Sequence, residues 1–381
     1  MTPAARVAAA IDVLDRIADG DAAERALTAW ARGSRFAGSK DRAAVRDHVY
    51  DVLRRRRSCA ALGGGTDGRA LMLGLCRADG LDLSELFNGT GYGADVLSES
   101  EAAFDGAVSG DDALDLPDWL IAVFRASLGD DTDQVAGVLR HRAPVMLRVN
   151  LADCTVDHAI ERLAEDGVSA EADPVARSAL RVTTGERRVH LSDAYTGGLV
   201  ELQDGSSQAA VDELPLKSDW NILDFCAGGG GKTLAMAARV PAHYSAHDID
   251  PNRMKDLEPR AKRAGVSVQS VTREALADAY DLVVTDVPCS GSGTWRRAPE
   301  AKWALTPERL DELCAIQAGI LDEVAPLTTR IAYMTCSVFD AECGDQVAAF
   351  LARHPDWCLS IERRWLPGVA GDGFYLAVLT R

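Results

Sequence analysis

The stretch Asn221–Thr233, NILDFCAGGGGKT, decides how the chain is read. NILDF is a short apolar run, CAGGGGKT a glycine turn, and LAMAARV after it a helical run. The order strand, turn, helix is that of a nucleotide-type fingerprint. Its Gly-Lys-Thr ending suits a phosphate loop, but such a loop opens on a glycine where this chain has Cys226. The other reading is a glycine turn that lets backbone approach an adenosine-bearing cofactor, with helix N-terminal amides left facing it. The next β-rich run ends in Asp248, within AHDIDP. A carboxylate at the end of the second strand accepts hydrogen bonds from both ribose hydroxyls, which a phosphate loop does not need. Together the turn and the acid predict NAD, FAD or S-adenosylmethionine.

Outward from this stretch, NILDF, YSAHDI, VSVQSV, YDLVVTDV, RIAYMTCSV and FYLAVL alternate with helical runs. That alternation predicts an α/β fold with a doubly wound, mostly parallel sheet. Before it, from Pro144, VMLRVN reads as a strand, Thr155 to Asp166 as a helix, and LRVTTG and VHLSD as short strands, a small α+β unit. The first part is helical by period: Val7, Ile11, Leu14 and Ile17 step by three and four. So do Val45, Val49 and Leu53 behind a cap at Ser39 or Asp41, and Trp119 to Leu139 is a further helical run. The expected division is 1–143 helical, 144–215 small α+β, and 216–381 for the glycine loop and its sheet.

The 381 residues are 47% hydrophobic and 26% charged, an ordinary globular composition for two or three domains. A net charge of −17 rules out a general attraction to nucleic acid, so any such binding must come from local basic patches. Asp12, Asp15 and Arg16 interrupt the N-terminal apolar run, unlike a signal peptide, and no apolar run has the length of a membrane span. The nine cysteines contain no C-x-x-C pair, and the seven histidines show no ligand spacing. These features predict a reduced, cytoplasmic protein without metal or membrane, and a monomer is expected.

Two cysteines stand apart. The fourth strand runs into TDVPCSGSGT with Asp286 and Cys289, and the fifth into YMTCS with Cys336. In a doubly wound sheet, ligands lie outside the carboxyl ends of the strands, so these three side chains converge beside the glycine loop. A carboxylate and two thiols there suit one chemistry. Carbon 5 of cytosine is a poor nucleophile until a thiolate adds to carbon 6 and makes it enamine-like. A carboxyl group at the N3/N4 edge stabilises the charge that develops there, and a base then removes the carbon-5 proton.

These motifs resemble those of the Sun-type RNA cytosine-5 methyltransferases, nearest the bacterial small-subunit rRNA branch that carries a NusB-like N-terminal domain. FCAGGGGKT is similar to the family's C-A-A-P-G-G-K-T, DVPCSGSGTWRRAPEAKW to its D-A-P-C-S-G-x-G-x-x-R-R-x-P-x-x-K-W, and AYMTCSV to its Y-x-T-C-S. Weaker matches are SKDRAAVRDHVYDVLRR, LRVN and LQDGSSQ. The resemblance implies a Rossmann-like class I methyltransferase domain behind a helical NusB-like RNA-binding domain and an RRM-like linker domain. It implies S-adenosylmethionine as cofactor and RNA, foremost 16S rRNA, as partner. Carried over by position, Cys336 attacks carbon 6, Cys289 assists release, and Asp286 holds the cytosine edge. Asp248 holds the ribose, and Cys226, Ala227, Gly228, Gly229, Gly230, Gly231 and Lys232 line the cofactor with Asp286.

The chain departs from the family in three places. Gly229 replaces the loop proline, which predicts a floppier turn. The family's acid after the third strand has only Glu274 as a candidate here. Its E-E-N reads Ala341-Glu342-Cys343. Basic residues cluster at Arg54–Arg57, at Arg140 with Arg142, from Arg253 to Arg263, and at Arg296, Arg297 and Lys302. The last group follows the Pro-Cys motif and is expected to hold RNA beside the active site; Arg54–Arg57 reads either as a solvated helix end or as a phosphate patch. A target base must leave its stack to reach the thiols, so single-stranded or loop RNA is the expected substrate. Alternatives are a tRNA target, a DNA target, or an assembly factor that binds RNA without catalysis.

Overall fold

Helix Pro3–Ala18 opens on Thr2, whose hydroxyl accepts the Ala5 N–H at 3.2 Å. Pro3 follows in the first turn, where the missing N–H would have had no helical partner. The computed structural model describes residues 1–381 and divides into two compact units. The first is Met1–Arg142 together with Trp295–Ala304; the second is Ala143–Thr294 together with Leu305–Arg381. The segment that carries Arg296, Arg297 and Lys302 therefore belongs to the helical unit, although its sequence lies inside 216–381.

Helices Ala23–Gly33, Ser39–Arg54, Arg56–Gly63 and Gly68–Ala78 complete the core of the first unit. Val7, Val13, Leu14, Val45, Val49, Val52 and Leu73 are buried there together. Asp41 ties the start of the third helix, accepting from the Gly38 N–H at 3.1 Å. The Trp119–Leu139 run is two helices, Asp118–Leu128 and Thr132–Leu139, broken at Gly129.

The second unit holds two sheets. The smaller uses β1 (Met146–Val149), β2 (Ser169–Ala172), β3 (Ala179–Thr184) and β4 (Val200–Leu202) in the antiparallel order β2-β3-β1-β4. Helix Val156–Glu165 joins β1 to β2. VHLSD is not a strand: residues Glu186–Leu191 form a 3-10 turn after Gly185, whose φ is 79°. Ser192 then caps the next short helix.

The larger sheet uses β5 (Asn221–Asp224), β6 (His243–Ala246), β7 (Val268–Ser270), β8 (Leu282–Asp286), β9 (Arg330–Thr335), β10 (Cys358–Trp365) and β11 (Phe374–Thr380). Its order is β10-β11-β9-β8-β5-β6-β7, parallel from β9 to β7 and antiparallel at β11 and β10. This is the doubly wound, mostly parallel α/β sheet expected from the alternation. Leu223, Val283, Ile331 and Tyr333 bury one face, and Ile222, Leu282, Val284 and Met334 the other. Burial on both faces explains why these strands read as continuous apolar runs. β10 escapes the sequence reading because it is an edge strand, largely exposed and rich in charge (CLSIERRW). No helix is long and apolar enough to cross a membrane.

Candidate active site

Strand order reverses between β5 and β8, and a crevice at the carboxyl ends is the consequence. Asp224 closes β5 and Asp286 closes β8. Between Asp224 and helix Gly231–Ala237 the glycine loop folds with φ of 50° at Gly228 and 78° at Gly230. A Cβ on Gly230 would sit 2.1 Å from Leu257 Cδ1, and the positive φ itself favours glycine there. The Gly228 N–H donates to Asp248 Oδ2 at 3.0 Å, and the Asp250 N–H donates to Asp248 Oδ1 at 3.0 Å. The Arg253 guanidinium stands 3.3 Å from Asp248 Oδ2. Asp248 is thus a buried, fully oriented carboxylate beside the loop.

Two cavities flank the loop. One, of about 520 Å³, is lined by Phe225, Asp248, Ile249, Thr272, Glu274 and Ile316 among others. Ile249 is 88% exposed, an apolar side chain open to whatever fills that space. The other, of about 290 Å³, is lined by Gln203, Asp224, Cys226, Ala227, Gly228, Gly229, Gly231, Lys232, Arg253 and Asp286. Gly230 faces Leu257 instead. Asp224 Oδ1 and Gln203 Oε1 are buried there without a hydrogen-bond partner. Two orphaned acceptors in a small polar cavity, beside an apolar cavity with a ribose-ready carboxylate, fit a methionine ammonium at one end and adenosine at the other. The residues present therefore fit S-adenosylmethionine.

Electrostatics sharpen that reading. Burial pushes the Asp224 carboxyl up to about 6, against the hydrogen bond from Thr233 Oγ at 2.7 Å. Burial also holds the Cys226 thiol well above its usual range, which disfavours its thiolate. Lys232 Nζ donates to Asp286 Oδ2 at 2.5 Å and lies 4.9 Å from the centre of the Phe374 ring. Burial pulls its ammonium down, but Asp286, Asp224 and Cys336 outweigh that and raise it.

The floppiness expected at Gly229 meets a restraint from the basic cluster that runs from Arg253 to Arg263. Arg260 donates from Nη1 to the Gly229 carbonyl at 2.5 Å and pairs through Nη2 with Glu201 at 3.1 Å. Glu201, on β4, is itself buried and also pairs with Arg263. Arg253, Arg260 and Arg263 form one basic cluster in sequence; in the structure Arg253 pairs with Asp248, Arg260 braces the Gly229 carbonyl, and Arg263 pairs with Glu201.

Cys289 and Cys336 meet with sulfurs 3.3 Å apart. Their loops are fastened to one another: the Gly293 N–H donates to Cys336 O at 3.0 Å, and the Gly373 N–H to Gly293 O at 2.9 Å. Beneath them lies Glu342, fully buried. It accepts from the Ser290 N–H at 2.7 Å, Ser337 Oγ at 2.6 Å and Gln317 Nε2 at 3.0 Å, and from Ser290 Oγ. Glu342 therefore holds the residues that follow each cysteine. In sequence it is the one position of the family's E-E-N that this chain keeps, between Ala341 and Cys343. The Cys289 thiol is held far above its usual range, first by the Cys336 sulfur and then by burial. At that separation either thiol can donate to the other sulfur.

The residues expected to hold RNA fare differently. Lys302 and Arg296 are buried in the helical unit, with 1% and 3% of their surface exposed. Lys302 Nζ donates to Arg54 O at 2.8 Å, Trp303 Nε1 to Leu53 O at 2.7 Å, and Arg54 Nε to Arg296 O at 2.7 Å. A cation and an indole thus satisfy the last carbonyls of helix Ser39–Arg54, a use of positive charge that the helix dipole favours. Burial also pulls the Lys302 amine down to about 7. Both side chains are buried and are corrected from the expected phosphate contacts; Arg297 is exposed. Arg54–Arg57 is no open patch either. Arg55 pairs with Asp79 at 2.7 Å, Arg57 with Asp112 at 2.9 Å, and Arg56 lies 5.4 Å from the Trp303 ring centre.

A family model described as 16S rRNA methyltransferase RsmB/F matches residues 212–379, and one described as an RsmF/B-like, ferredoxin-like domain matches 116–189. Ribosomal RNA small subunit methyltransferase B of Yersinia pseudotuberculosis is 31% identical over 296 residues, 72% of this chain and 68% of that one. The chain belongs to the RsmB/F methyltransferase family. The protein of the same name from Yersinia pestis shows the same identity and coverage. Among solved structures, PH0851 has a TM-score of 0.76 at 23% identity, covering 100% of this chain and 99% of its own. NSun6 from Pyrococcus horikoshii, solved with SFG, has a TM-score of 0.61 at 16% identity over 69% of this chain and 98% of its own. At those identities the likeness is one of fold. The order β2-β3-β1-β4, with helices joining β1 to β2 and β3 to β4, is the ferredoxin-like arrangement named by the second family model.

Proposed function

We propose that this RsmB/F-family enzyme methylates carbon 5 of a cytosine in 16S rRNA, with Cys336 as the nucleophile and Cys289 as the residue that assists release. The observation that carries the reading is the 3.3 Å pairing of the two sulfurs at the carboxyl ends of adjacent strands, beside the Lys232–Asp286 pair. S-adenosylmethionine, when bound, supplies the methyl group. Asp248 would accept the ribose hydroxyls, Glu274 and Ile249 would flank the adenine, and Asp224 and Gln203 would accept the methionine ammonium. Cys336, as thiolate, bonds to carbon 6 and pushes an electron pair toward carbon 5, while Asp286 stabilises charge at the N3/N4 edge. After methyl transfer a base takes the carbon-5 proton, the C–H electrons re-form the double bond between carbons 5 and 6, and the sulfur–carbon pair returns to Cys336 with Cys289 assisting. Arg297 remains a candidate for holding RNA. A monomer acting in the cytoplasm completes the reading.

One denaturing gel with labelled 16S rRNA fragments separates the roles of the thiols. Cys336→Ser should form no adduct and no product, because a serine hydroxyl stays protonated where a thiol ionises. Cys289→Ser should attack and transfer, yet accumulate a covalent protein–RNA band; the double variant should show none. A band from Cys336→Ser alone would reverse the assignment.

A further inference from the structure

Outside the crevice, the helical unit carries an exposed aromatic pair, one ring of which lies among uncommitted cations in the sequence. Phe36 and Tyr92 are 73% and 88% exposed, yet their rings stack with centroids 6.4 Å apart and planes at 22°. Single exposed apolar side chains are common on surfaces. Two rings brought together from separate loops, both open to water, form a platform. From Trp30 to Arg46 the chain carries Arg32, Arg35, Lys40, Arg42 and Arg46 against one acid, Asp41, in a protein whose net charge is −17. Asp41 is occupied by the Met1 amine at 3.2 Å and by Arg6 at 2.9 Å. Arg32 and Arg35 line an open groove of about 570 Å³ with Trp30 and Arg42. Arg46 is held by Glu24 at 2.6 Å, and Arg42 by the Ala37 carbonyl at 3.1 Å. Arg32, Arg35 and Lys40 are exposed, and the structure places no carboxylate in ion-pair range of them.

We propose that Phe36 and Tyr92, with Arg32, Arg35 and Lys40, form a binding surface for a single-stranded segment of the RNA substrate. Unpaired bases stack on exposed rings without regard to sequence, and guanidinium groups alongside take the phosphates. The inference rests on the reading of RNA as substrate and adds where the helical unit grips it. It also answers how so acidic a chain holds a polyanion: the arginines of residues 54–57 and 253–263 are largely occupied in ion pairs, and these cations are not.

The test uses the full chain, a mixed-sequence single-stranded RNA oligonucleotide and a 16S rRNA fragment. Affinity is followed by fluorescence anisotropy across a salt series. Arg32→Ala with Arg35→Ala should lower the slope of log K against log salt by about 1.4, at about 0.7 for each phosphate no longer neutralised, and weaken binding about tenfold near physiological salt. Phe36→Ala with Tyr92→Ala should weaken binding about tenfold and leave the slope unchanged. Phe36→Leu with Tyr92→Leu should not restore it, since leucine keeps apolar area but offers no ring. S-adenosylmethionine affinity should match wild type in all three. Wild-type RNA affinity and slope in both alanine variants would overturn the surface, even if they lose some protein partner; so would full recovery by the leucines. RNA binding that follows these expectations without any methyl transfer by the wild-type chain would instead sink the functional reading and leave the surface standing.

Discussion

Removing the Arg260 side chain tests whether the four-glycine turn is ordered by a long-range restraint. Arg260 is 21% exposed at its side chain and Glu201 4%, so the bond to the Gly229 carbonyl is partly shielded from water. Glu201 keeps Arg263 in the Arg260→Ala variant, so no buried charge is orphaned and the fold should survive. What disappears is the anchor on Gly229. If the residue becomes free, binding must order it again, at about 1–2 kcal/mol for one backbone position. That weakens S-adenosylmethionine by about 5–30-fold, at about 1.4 kcal/mol per factor of ten. Titration calorimetry reads the constant, and circular dichroism confirms the fold. Gly229→Pro stiffens the same position by another route, but a Cβ there would sit 3.0 Å from Arg260 Nη1 and displace the guanidinium. Each single substitution should therefore weaken binding, while Arg260→Ala with Gly229→Pro should bind better than their sum predicts, with a coupling of about 0.5–3 kcal/mol. Wild-type affinity in Arg260→Ala, or strict additivity in the cycle, refutes the restraint.

Asp224→Asn should stabilise the protein at neutral pH while weakening the cofactor. The carboxyl moves from 3.8 to about 6 on folding, so wild-type stability is full below the lower value and falls as pH rises through the upper one. The loss is about 3 kcal/mol at two pKa units, and melting curves should show the variant's advantage at pH 7 but not near pH 4; an equal gap at both would contradict the burial argument. Glu342→Gln places an amide against donors from Ser290, Ser337 and Gln317. It should cost about 1–3 kcal/mol of stability and lower kcat with little change in cofactor affinity. A variant with wild-type turnover would detach this carboxylate from the cysteine loops. Asp248→Ala should weaken cofactor binding by about 1.5–3 kcal/mol, the range for hydrogen bonds to a charged group, and an unchanged constant in a folded variant would remove it from the ribose.

Whatever depends on neighbours along the chain is legible in the sequence itself. NILDF followed by glycines is a strand and a turn by composition alone, and a sheet of such units must carry its ligand at the carboxyl ends. Asp224, Asp248, Asp286, Cys289 and Cys336 all end or follow strands, so their convergence on one crevice is implied by period and order. The edge strand β10 is not legible, since an exposed strand alternating with charge has no apolar run to betray it. Nor is the employment of the cations. Arg296, Lys302 and Arg260 are chemically equal to any surface cation in the sequence. The Lys302 ammonium meets the Arg54 carbonyl across 248 positions, Arg54 reaches back to Arg296 across 242, and Arg260 meets Glu201 across 59. Whether a long, flexible cation faces a phosphate, a carbonyl or a buried carboxylate is settled by which backbone comes within about 3 Å of it. That is a property of the packed chain, and local sequence carries no record of it.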